Sequence, residues 1–459
     1  MSGLKKQFGF WTAVSMVVGM VIGSGIFFQA QGTLAVTQSP VLSILAWTIG
    51  GIITIAAGMT VSELAAAIPK TGGIVEYLRI AFGDLMSGTC GWMLSTIFFP
   101  AVIGVFSIVF SETFVAFFQL PATVLGVSTQ LIVSVVLIVG VGGINMISAK
   151  FGSRTQVVTT IGKLVPIALI IIMGLFFGES NAVAVGFSNL TLNIPEGTSF
   201  AVIGITLGTA IGKAFFAYAG WFDVGAIAGE MKNPGRDLPR AIIFGLLAIT
   251  IIYTLVNIAY LTTFDMDGVL NSSTIAADTL GVYFGEFGGI LASIGVLVSI
   301  LGALNGVLMA GSRVAYQLGT EYRLPFSRLL QKLSPEAKTP IGGIIWMGLI
   351  AILWSLTGQF GFLADVGVFG SWIFYVFSFI GVIVLRKTHP HLVRPYKVPL
   401  YPFLPIVAIL GGLYFLVSSL ISSTQTSLFA LVMVLIGIPV YYGLRYFYRE
   451  ELANIEVDA

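Results

Sequence analysis

The sequence predicts an all-α integral membrane protein with twelve spans, two of which are interrupted. Its 459 residues are 57% hydrophobic and only 9% charged, whereas soluble domains carry about 25% charged residues. Apolar runs long enough to cross a bilayer, about 20 residues, recur along the whole chain. Glycine-rich interruptions fall in the first and sixth of these runs. Composition alone therefore predicts a polytopic membrane protein.

The apolar runs are separated by short polar segments; the ninth run is unusually short, and the third also contains glycines. The twelve runs are Phe10–Gln31, Val41–Ala66, Leu85–Phe110, Ser128–Ser148, Val157–Phe177, Phe200–Ala228, Ala241–Thr263, Phe287–Gly311, Ile341–Thr357, Phe362–Leu385, Tyr401–Ile421 and Ser427–Leu444.

The basic residues test this span count independently. With the N-terminus inside, every lysine and arginine except Lys163 and Lys213 falls in a cytoplasmic segment. The outer loops carry acids instead, including Glu179, Glu196, Asp265, Asp267 and Asp278. The positive-inside rule requires this distribution, and a miscounted span would destroy it. Both termini are therefore predicted to be cytoplasmic. The inner residues are Lys5, Lys6, Lys70, Arg79, Lys150, Arg154, Lys232, Arg236, Arg240, Arg313, Arg323, Arg328, Lys332, Lys338, Arg386, Lys387, Arg394, Lys397, Arg445 and Arg449.

The first interruption lies in the middle of the first span. Glycine adopts extended or positive-φ backbone at low cost, so Gly19, Gly23 and Gly25 around Ser24 predict a broken helix. A break inside the bilayer is tolerated only where its unpaired backbone groups line a cavity or bind a ligand. The half-helix after the break would direct N–H groups and a positive dipole end at that ligand, which suits a carboxylate. The alternative is a small-residue surface for close helix packing.

The second interruption lies in the sixth span, where 215–221 is flanked by glycines on both sides. Spans one and six each open a half of five spans, and because five is odd the two halves are inverted in the membrane. Interrupted segments at matching positions of inverted halves indicate the central site of a transporter. Together the two breaks favour a substrate site over simple packing. The flanking glycines are Gly204, Gly208, Gly212, Gly225 and Gly229.

Cysteine and histidine usage excludes several classes of site. Cys90 is the single cysteine, which excludes an internal disulfide and a multi-cysteine metal site. His389 and His391 share one polar loop and leave no intramembrane imidazole for metal, haem or acyl-transfer chemistry. We therefore expect no metal, no cofactor and no enzymatic activity. The net charge of +2 gives no indication of nucleic-acid binding.

Six short motifs, spread over nearly the whole chain, are specific when taken together. They read GSGIF at 23–27, IPKTGG at 68–73, TIGKLVP at 160–166, FAYAGW at 216–221, GEMKNP at 229–234 and RPYKVP at 394–399. On these motifs the chain resembles the amino acid–polyamine–organocation superfamily. Within it, the chain is similar to the bacterial relatives of the L-amino acid transporters. That group includes exchangers of serine and threonine and of alanine, serine and cysteine.

The resemblance implies a LeuT-like fold of two inverted five-helix repeats, at 10–178 and 200–385, in which helices 1 and 6 are unwound. Two extra helices follow at 401–447. The family carries amino acids by alternating access, and the resemblance suggests obligatory exchange without sodium. Small neutral L-amino acids are the expected substrates: alanine, serine, threonine, cysteine and glycine. The cell membrane is the expected location.

Lys163 is the single residue whose position most specifically indicates a function. It lies nine positions beyond Arg154, about 13 Å along a helix, and intramembrane charges are usually functional. By family position its ammonium replaces the sodium ion of sodium-coupled relatives, with the carbonyls of Gly19 and Ile22 and the Ser299 hydroxyl as partners. Two alternatives stay open: a lysine that reaches back to the cytoplasmic interface, and a lysine that carries a proton during transport.

The resemblance also implies that backbone groups of both interruptions hold the substrate. The substrate carboxylate would meet the N–H groups of Ser24, Gly25 and Ile26 and the Ser24 hydroxyl. The ammonium would meet carbonyl oxygens from both segments. Gly23 and Gly220 belong to the same two segments. The carbonyl groups are those of Val21, Ile22, Phe216, Ala217 and Ala219.

Three aromatic residues are candidates beside this site. Phe216 and Trp221 are interpreted as an aromatic gate. Tyr253 in span seven is expected to bond the substrate carboxylate or Lys163. The alternative for all three is ordinary helix packing. For Tyr253 this means a packed ring whose hydroxyl group contacts water.

Several charged residues receive a structural interpretation instead. Asp223 is read as a solvated or hydrogen-bonded residue of the second half-helix rather than a substrate contact. Lys213 departs from the family pattern and is expected to line an outer vestibule or to reach outward. Glu63 and Glu230 are read as ion-pair partners of nearby basic residues at the inner gate. Relatives often carry an acid where Ala219 stands.

Cys90 bears on the expected partners. Eukaryotic relatives are tethered to an ancillary glycoprotein through an external cysteine, whereas Cys90 falls near the cytoplasmic start of span three. We therefore expect no disulfide-linked subunit, and a chain that acts alone or as a homo-oligomer in the lipid bilayer.

Three other functions compete with the interpretation of this chain as an exchanger. A proton-coupled symporter of the same fold is the main rival to exchange, with Lys163 or a carboxylate as the titrating group. A channel would need a continuous polar stripe, and none is evident in the sequence. A membrane enzyme would need an intramembrane histidine, carboxylate pair or metal constellation.

Overall fold

The computed structural model describes residues 6, 8–147, 149–178, 184–194, 197–272 and 274–458. Four residues used in the sequence analysis, Lys5, Ser148, Glu179 and Glu196, lie outside the described residues, as does the side chain of Lys150.

Helices account for most of the described chain. A short antiparallel hairpin, β1 (Thr123–Val124) and β2 (Val127–Ser128), connects two of them. The helices are α1 (Phe10–Val21), α2 (Gly25–Thr37), α3 (Pro40–Ala67), α4 (Ile74–Phe82), α5 (Asp84–Met93), α6 (Phe99–Phe117), α7 (Thr129–Ile147), α8 (Ala149–Phe177), α9 (Phe200–Tyr218), α10 (Pro234–Thr263), α11 (Met266–Asn271), α12 (Ile275–Thr320), α13 (Ser327–Leu330), α14 (Ile341–Ser355), α15 (Phe360–Thr388), α16 (Phe403–Ser422), α17 (Thr424–Phe447) and α18 (Arg449–Asp458).

The predicted multi-pass helical architecture is confirmed. Within the described ranges, ten helices are long and apolar enough to cross a membrane, and the bent pair α1 and α2 would make an eleventh. The predicted ninth span corresponds to α14, whose 15 residues fall short of the about 20 that a span needs. The count of twelve therefore stays a prediction.

The third span is continuous from Asp84 to Phe117 and is not broken at its glycines. Its irregularity is a π-helical turn over Leu94–Phe98, just before Pro100. Proline has no N–H to continue the helical ladder, and π-turns often occur at such sites. The indole N–H groups of two tryptophans in α14 donate to carbonyl oxygens of this turn: Trp346 to Ser95 O (3.0 Å) and Trp354 to Thr96 O (3.1 Å). The turn therefore anchors α14 against the third span.

Both predicted interruptions are present in the backbone. Residues 22–24 separate α1 from α2, and the two helices are bent by 40° at this point. The sixth span leaves the α-helix after Tyr218, since Ala219 is extended (ψ 156°) and Gly220 has φ +105°. It resumes as a 3₁₀ helix over Asp223–Glu230.

The interrupted helices lie inside the bundle. α2 packs against α9, while α1 packs against α8, α10 and α12. Around them, α3 packs along α10, and α12 along α6 and α8. The eighth predicted span, Phe287–Gly311, is part of the much longer α12, which contains a backbone kink at Gly285 (φ +60°). These packed helices therefore surround the two breaks and hold them side by side.

Candidate functional site

The two interruptions contact each other directly. A Cβ atom added to Gly25 would lie 2.5 Å from Ala217 Cα, closer than non-bonded atoms approach. Gly220 combines a positive φ with close approach, because its Cβ would lie 3.1 Å from Met20 Cβ. The predicted break is present, but none of Gly19, Gly23 and Gly25 has a positive φ angle: Gly19 lies within α1, Gly23 in the linker and Gly25 at the start of α2. At Gly25 the missing side chain instead lets two backbones meet.

Unpaired donors collect at the start of α2. Among the described residues, the N–H groups of Ser24, Gly25 and Ile26 make no backbone hydrogen bond. The Ser24 hydroxyl is fully buried and has no hydrogen-bond partner in the part of the chain that the structure describes. These are the free first-turn donors of a helix, where the helix dipole also favours a negative group. The arrangement can therefore accept a carboxylate.

Lys163 lies on the opposite side of the same break. Its side chain is fully buried, and its Nζ donates to Gly19 O (2.8 Å) and to Ile22 O. The Ser299 hydroxyl donates to Ile22 O (3.2 Å) and lies 3.3 Å from Gly23 O. The end of α1 is thus held by one ammonium group and one hydroxyl group. The three predicted partners of Lys163 therefore meet in one place.

Tyr253 connects the two interruptions. Its hydroxyl lies 2.8 Å from Val21 O and 3.0 Å from Ala217 O, within reach of the first break and the second. The hydroxyl was expected to bond a substrate carboxylate or Lys163, but both of its contacts are carbonyl oxygens. The Tyr253 ring packs edge-on against Trp47 (5.4 Å between centroids). Tyr253 therefore fixes the distance between the breaks.

Most carbonyl groups assigned to the substrate ammonium already accept hydrogen bonds. Val21 O and Ala217 O face Tyr253, Ile22 O faces Lys163, and Phe216 O accepts from the N–H of Ala219. Within the described chain, the carbonyl of Ala219 accepts no hydrogen bond. Of the predicted acceptors, Ala219 O is therefore the one with its full capacity available to a ligand.

A small pocket opens between the two breaks. One wall comes from the third span, whose contribution the sequence analysis missed. Phe98, Val102 and Phe106 recur at every fourth residue and so lie on one helix face, which was a readable signal. The pocket is lined by Met20, Val21, Gly23, Gly25, Phe98, Val102, Phe106, Phe216, Ala219, Gly220, Asp223 and Val307.

The two gate candidates have different surroundings. Phe216 lines the pocket and packs edge-on against Phe360 (5.8 Å between centroids), which in turn contacts Phe28 of α2 (6.3 Å). Trp221 is buried against Phe222 and Tyr375 and is not part of the pocket lining. The geometry therefore suits Phe216 for a gate and Trp221 for packing.

Asp223 differs from its sequence interpretation. It is only 5% exposed, its Oδ2 atom has no hydrogen-bond partner among the described residues, and it lines the pocket. The interpretation as a solvated or hydrogen-bonded residue is therefore wrong for this oxygen. The helix breaks at Ala219 and Gly220 just before Asp223, which lies beside Phe98 and Val102 in the pocket lining.

Several other intramembrane and helix-end charges are paired. Lys213 Nζ donates to both carboxylate oxygens of Asp365 in α15 (2.9 and 2.8 Å). Glu63 accepts from Arg386 (2.8 and 2.5 Å), and Arg394 lies 3.3 Å away. Asp365 was not singled out in the sequence, because nothing links it to a lysine 152 residues earlier.

At the end of the bundle where α1 begins, a buried ion pair and backbone bonds join several elements. Arg313 of α12 donates to both carboxylate oxygens of Glu230, and both side chains are buried. The Phe8 N–H donates to Glu230 O (3.0 Å), and the Lys232 N–H donates to Phe8 O (2.9 Å). The segment before α1 is thereby tied to the end of the 3₁₀ helix.

Comparisons with known proteins bear on what such a site does. A family model described as amino acid permease matches residues 8–439. The serine/threonine exchanger SteT of Bacillus subtilis (strain 168) is 36% identical, over 97% of this chain and 98% of that protein. The b(0,+)-type amino acid transporter 1 of Mus musculus is 31% identical, over 98% and 89% of the two chains. The cystine/glutamate transporter of Homo sapiens is 29% identical, over 96% and 85%.

These relatives carry the names of transporters and exchangers, not of enzymes, and the match extends over nearly the full length of each chain. Because the family model and the relatives agree, the resemblance seen in the sequence motifs is confirmed. The chain belongs to the amino acid permease family of the amino acid–polyamine–organocation superfamily and is a multi-pass membrane protein.

Proposed function

We propose that this protein is a sodium-independent antiporter that exchanges small neutral L-amino acids by alternating access. The observation that carries the proposal is the buried ammonium of Lys163 on the carbonyl oxygens of Gly19 and Ile22. A cation supplied by the chain itself stabilises the broken end of α1, so no sodium ion from solution is needed there. Exchange fits such a permanent cation, because nothing but substrate changes during the cycle.

The substrate class follows from the groups around the pocket. The free N–H groups at the start of α2 receive the α-carboxylate, and Ala219 O receives the α-ammonium. The pocket between Phe98, Phe106 and Phe216 is small, which favours a substrate with a short side chain. Support also comes from the serine/threonine exchanger among the relatives.

Alternating access is supported by closures at both ends of the pocket. On one side, the ring of Phe360 joins Phe28 of α2 to Phe216 of α9. On the other side, the Glu230–Arg313 pair and the strand-like bonds of Phe8 hold the 3₁₀ helix. Each closure involves one half of an interrupted helix. Opening one closure at a time would expose the substrate to one side of the membrane.

The finer topology belongs to the same proposal. Twelve spans form two inverted five-helix repeats, 10–178 and 200–385, followed by two helices over 401–447. The short α14 is the ninth span. The protein resides in the plasma membrane with both termini in the cytoplasm, and it works without a disulfide-linked subunit, alone or as a homo-oligomer.

The substrate class is tested by competition in proteoliposomes. Uptake of radiolabelled L-serine into serine-loaded vesicles is measured with an excess of one unlabelled amino acid outside. We expect strong inhibition by alanine, serine, threonine, cysteine and glycine. Arginine, glutamate and tryptophan are expected to leave uptake nearly unchanged. Equal inhibition by a large or charged amino acid would contradict the assignment.

A further inference from the structure

Asp223 occupies a position in the pocket that the proposed exchange cycle has not yet used. It is the first residue of the 3₁₀ helix that follows the second break. Its carboxyl group lines the pocket together with Phe98 and Val102 of the third span. The start of α2 and Ala219 line the same pocket. The carboxyl group of Asp223, the free N–H groups of α2 and the carbonyl of Ala219 are therefore grouped around one small space.

No basic side chain among the described residues neutralises this carboxyl group. The intramembrane cations are engaged elsewhere: Lys163 with carbonyl oxygens, Lys213 with Asp365 and Arg313 with Glu230. Oδ2 of Asp223 has no hydrogen-bond partner, and the side chain is 5% exposed. Leaving a buried acceptor without a donor is costly, and native proteins seldom do so without a functional reason.

A bound amino acid would supply the missing donor. Its carboxylate is drawn to the N–H groups of α2, and its α-ammonium to Ala219 O. The remaining part of the ligand is the side chain, and the remaining polar group of the pocket is Asp223. The shortest neutral side chain that presents a strong hydrogen-bond donor carries a hydroxyl on the β-carbon.

We propose that Asp223 is a specificity-determining residue that accepts a hydrogen bond from the hydroxyl of serine or threonine. The carrier then selects hydroxylated small amino acids over aliphatic ones of the same size. This inference rests on the proposed exchange function and narrows its substrate class. A pocket built to bond a hydroxyl rejects the isostere that lacks it, because its own acceptor is then left unpaired.

The test compares amino acids that differ only in the hydroxyl group. L-Serine is paired with L-2-aminobutyrate and L-threonine with L-valine, since each pair exchanges a hydroxyl for a methyl. Half-inhibitory concentrations against labelled L-alanine exchange are measured in proteoliposomes. For the wild type we expect a preference of about tenfold or more within each pair, the effect of leaving one buried acceptor without its hydrogen bond.

Two variants assign that preference to Asp223. In Asp223→Ala the ratio within each pair should fall to about one, mainly through weaker serine and threonine binding. Asp223→Asn has the same shape and keeps a neutral acceptor, so its ratio should fall by about threefold or more. It decides the question if the alanine variant does not fold. Glu112→Gln, a neutralised carboxyl on the exposed face of α6, should keep the wild-type ratio.

The outcomes separate this inference from the exchange function. Wild-type protein that exchanges none of the four amino acids would overturn the proposed function itself. Exchange with unchanged ratios in Asp223→Asn would overturn only the role of Asp223. The same holds if Asp223→Ala weakens all four amino acids equally, because the carboxyl group would then serve the α-ammonium or the structure.

Discussion

The ammonium nitrogen of Lys163 lies 2.8 Å from the carbonyl oxygen of Gly19, and the lysine side chain has no exposed surface. A cation at this position stabilises the unpaired carbonyl end of α1, where the helix dipole is negative. Lys163 also reaches Ile22 O, in the linker between α1 and α2. The conformation of the first break thus depends on one side chain from α8.

Replacement of Lys163 should disable transport. In Lys163→Met the volume is retained, but Gly19 O and Ile22 O lose their charged donor, and each hydrogen bond to a charged group contributes about 1.5–3 kcal/mol. We expect the initial exchange rate to fall by about tenfold or more, measured as labelled serine uptake. Lys232→Gln removes an exposed lysine and serves as the control. Normal exchange by Lys163→Met would contradict the role of the ammonium.

Gly25 should tolerate no side chain. In Gly25→Ala the new methyl group would meet Ala217 Cα at 2.5 Å, so the two interrupted segments would be forced apart. We expect near-complete loss of exchange. Gly140→Ala is the matched control, because a methyl group there meets nothing within 4 Å in α7. It should keep activity and raise helix stability by up to about 1 kcal/mol, seen as an equal or higher melting temperature.

Loss of the Tyr253 hydroxyl should loosen the two breaks while the ring still packs. Tyr253→Phe leaves Val21 O and Ala217 O without this donor, at an expected cost of about 1–3 kcal/mol in folding free energy. Thermal unfolding of the purified protein measures the loss, and serine half-saturation measures the effect on the site. Tyr442→Phe, at an exposed tyrosine of α17, should change neither quantity. An unaltered melting temperature in Tyr253→Phe would count against the bridging role.

Two ion pairs should differ sharply in their contribution to stability. Arg313→Gln strands the buried carboxylate of Glu230, and breaking such a pair typically costs about 3–5 kcal/mol. Arg328→Gln breaks the exposed contact with Glu451, which should leave stability almost unchanged. Denaturation free energies of both single variants are compared with those of Glu230→Gln/Arg313→Gln. The double variant should recover part of the stability lost in Arg313→Gln. If Arg313→Gln costs no more stability than Arg328→Gln, the structural role of the Glu230–Arg313 pair is contradicted.

Long apolar helices and their breaks could be read from the sequence for a simple reason. Lipid requires continuous helices, so a glycine cluster such as 19–25 is conspicuous in an otherwise uniform run. The role of these glycines could not be read, because close approach at Gly25 depends on Ala217, far away in the chain. The π-helical turn over Leu94–Phe98 was hidden as well, although Pro100 marks its end.

The candidate site was predicted unevenly. Lys163, Gly19, Ile22 and Ser299 were associated through the family resemblance, and they do lie together. Asp223 was misread because an aspartate near a helix end is usually solvated, and its burial depends on α10 and α12, which pack against the 3₁₀ helix only in the folded chain. The pairing of Lys213 with Asp365 was equally inaccessible, since it joins the ends of two helices that are adjacent only after folding.

The most direct test of the central claim is uptake of radiolabelled L-serine into proteoliposomes in sodium-free buffer. Vesicles are either loaded with unlabelled serine or left empty, with or without an inward proton gradient. The account predicts uptake only into loaded vesicles, unaffected by added sodium or by the gradient. Uptake into empty vesicles that follows the proton gradient would contradict exchange. Uptake that requires sodium would contradict the role of Lys163 as the built-in cation.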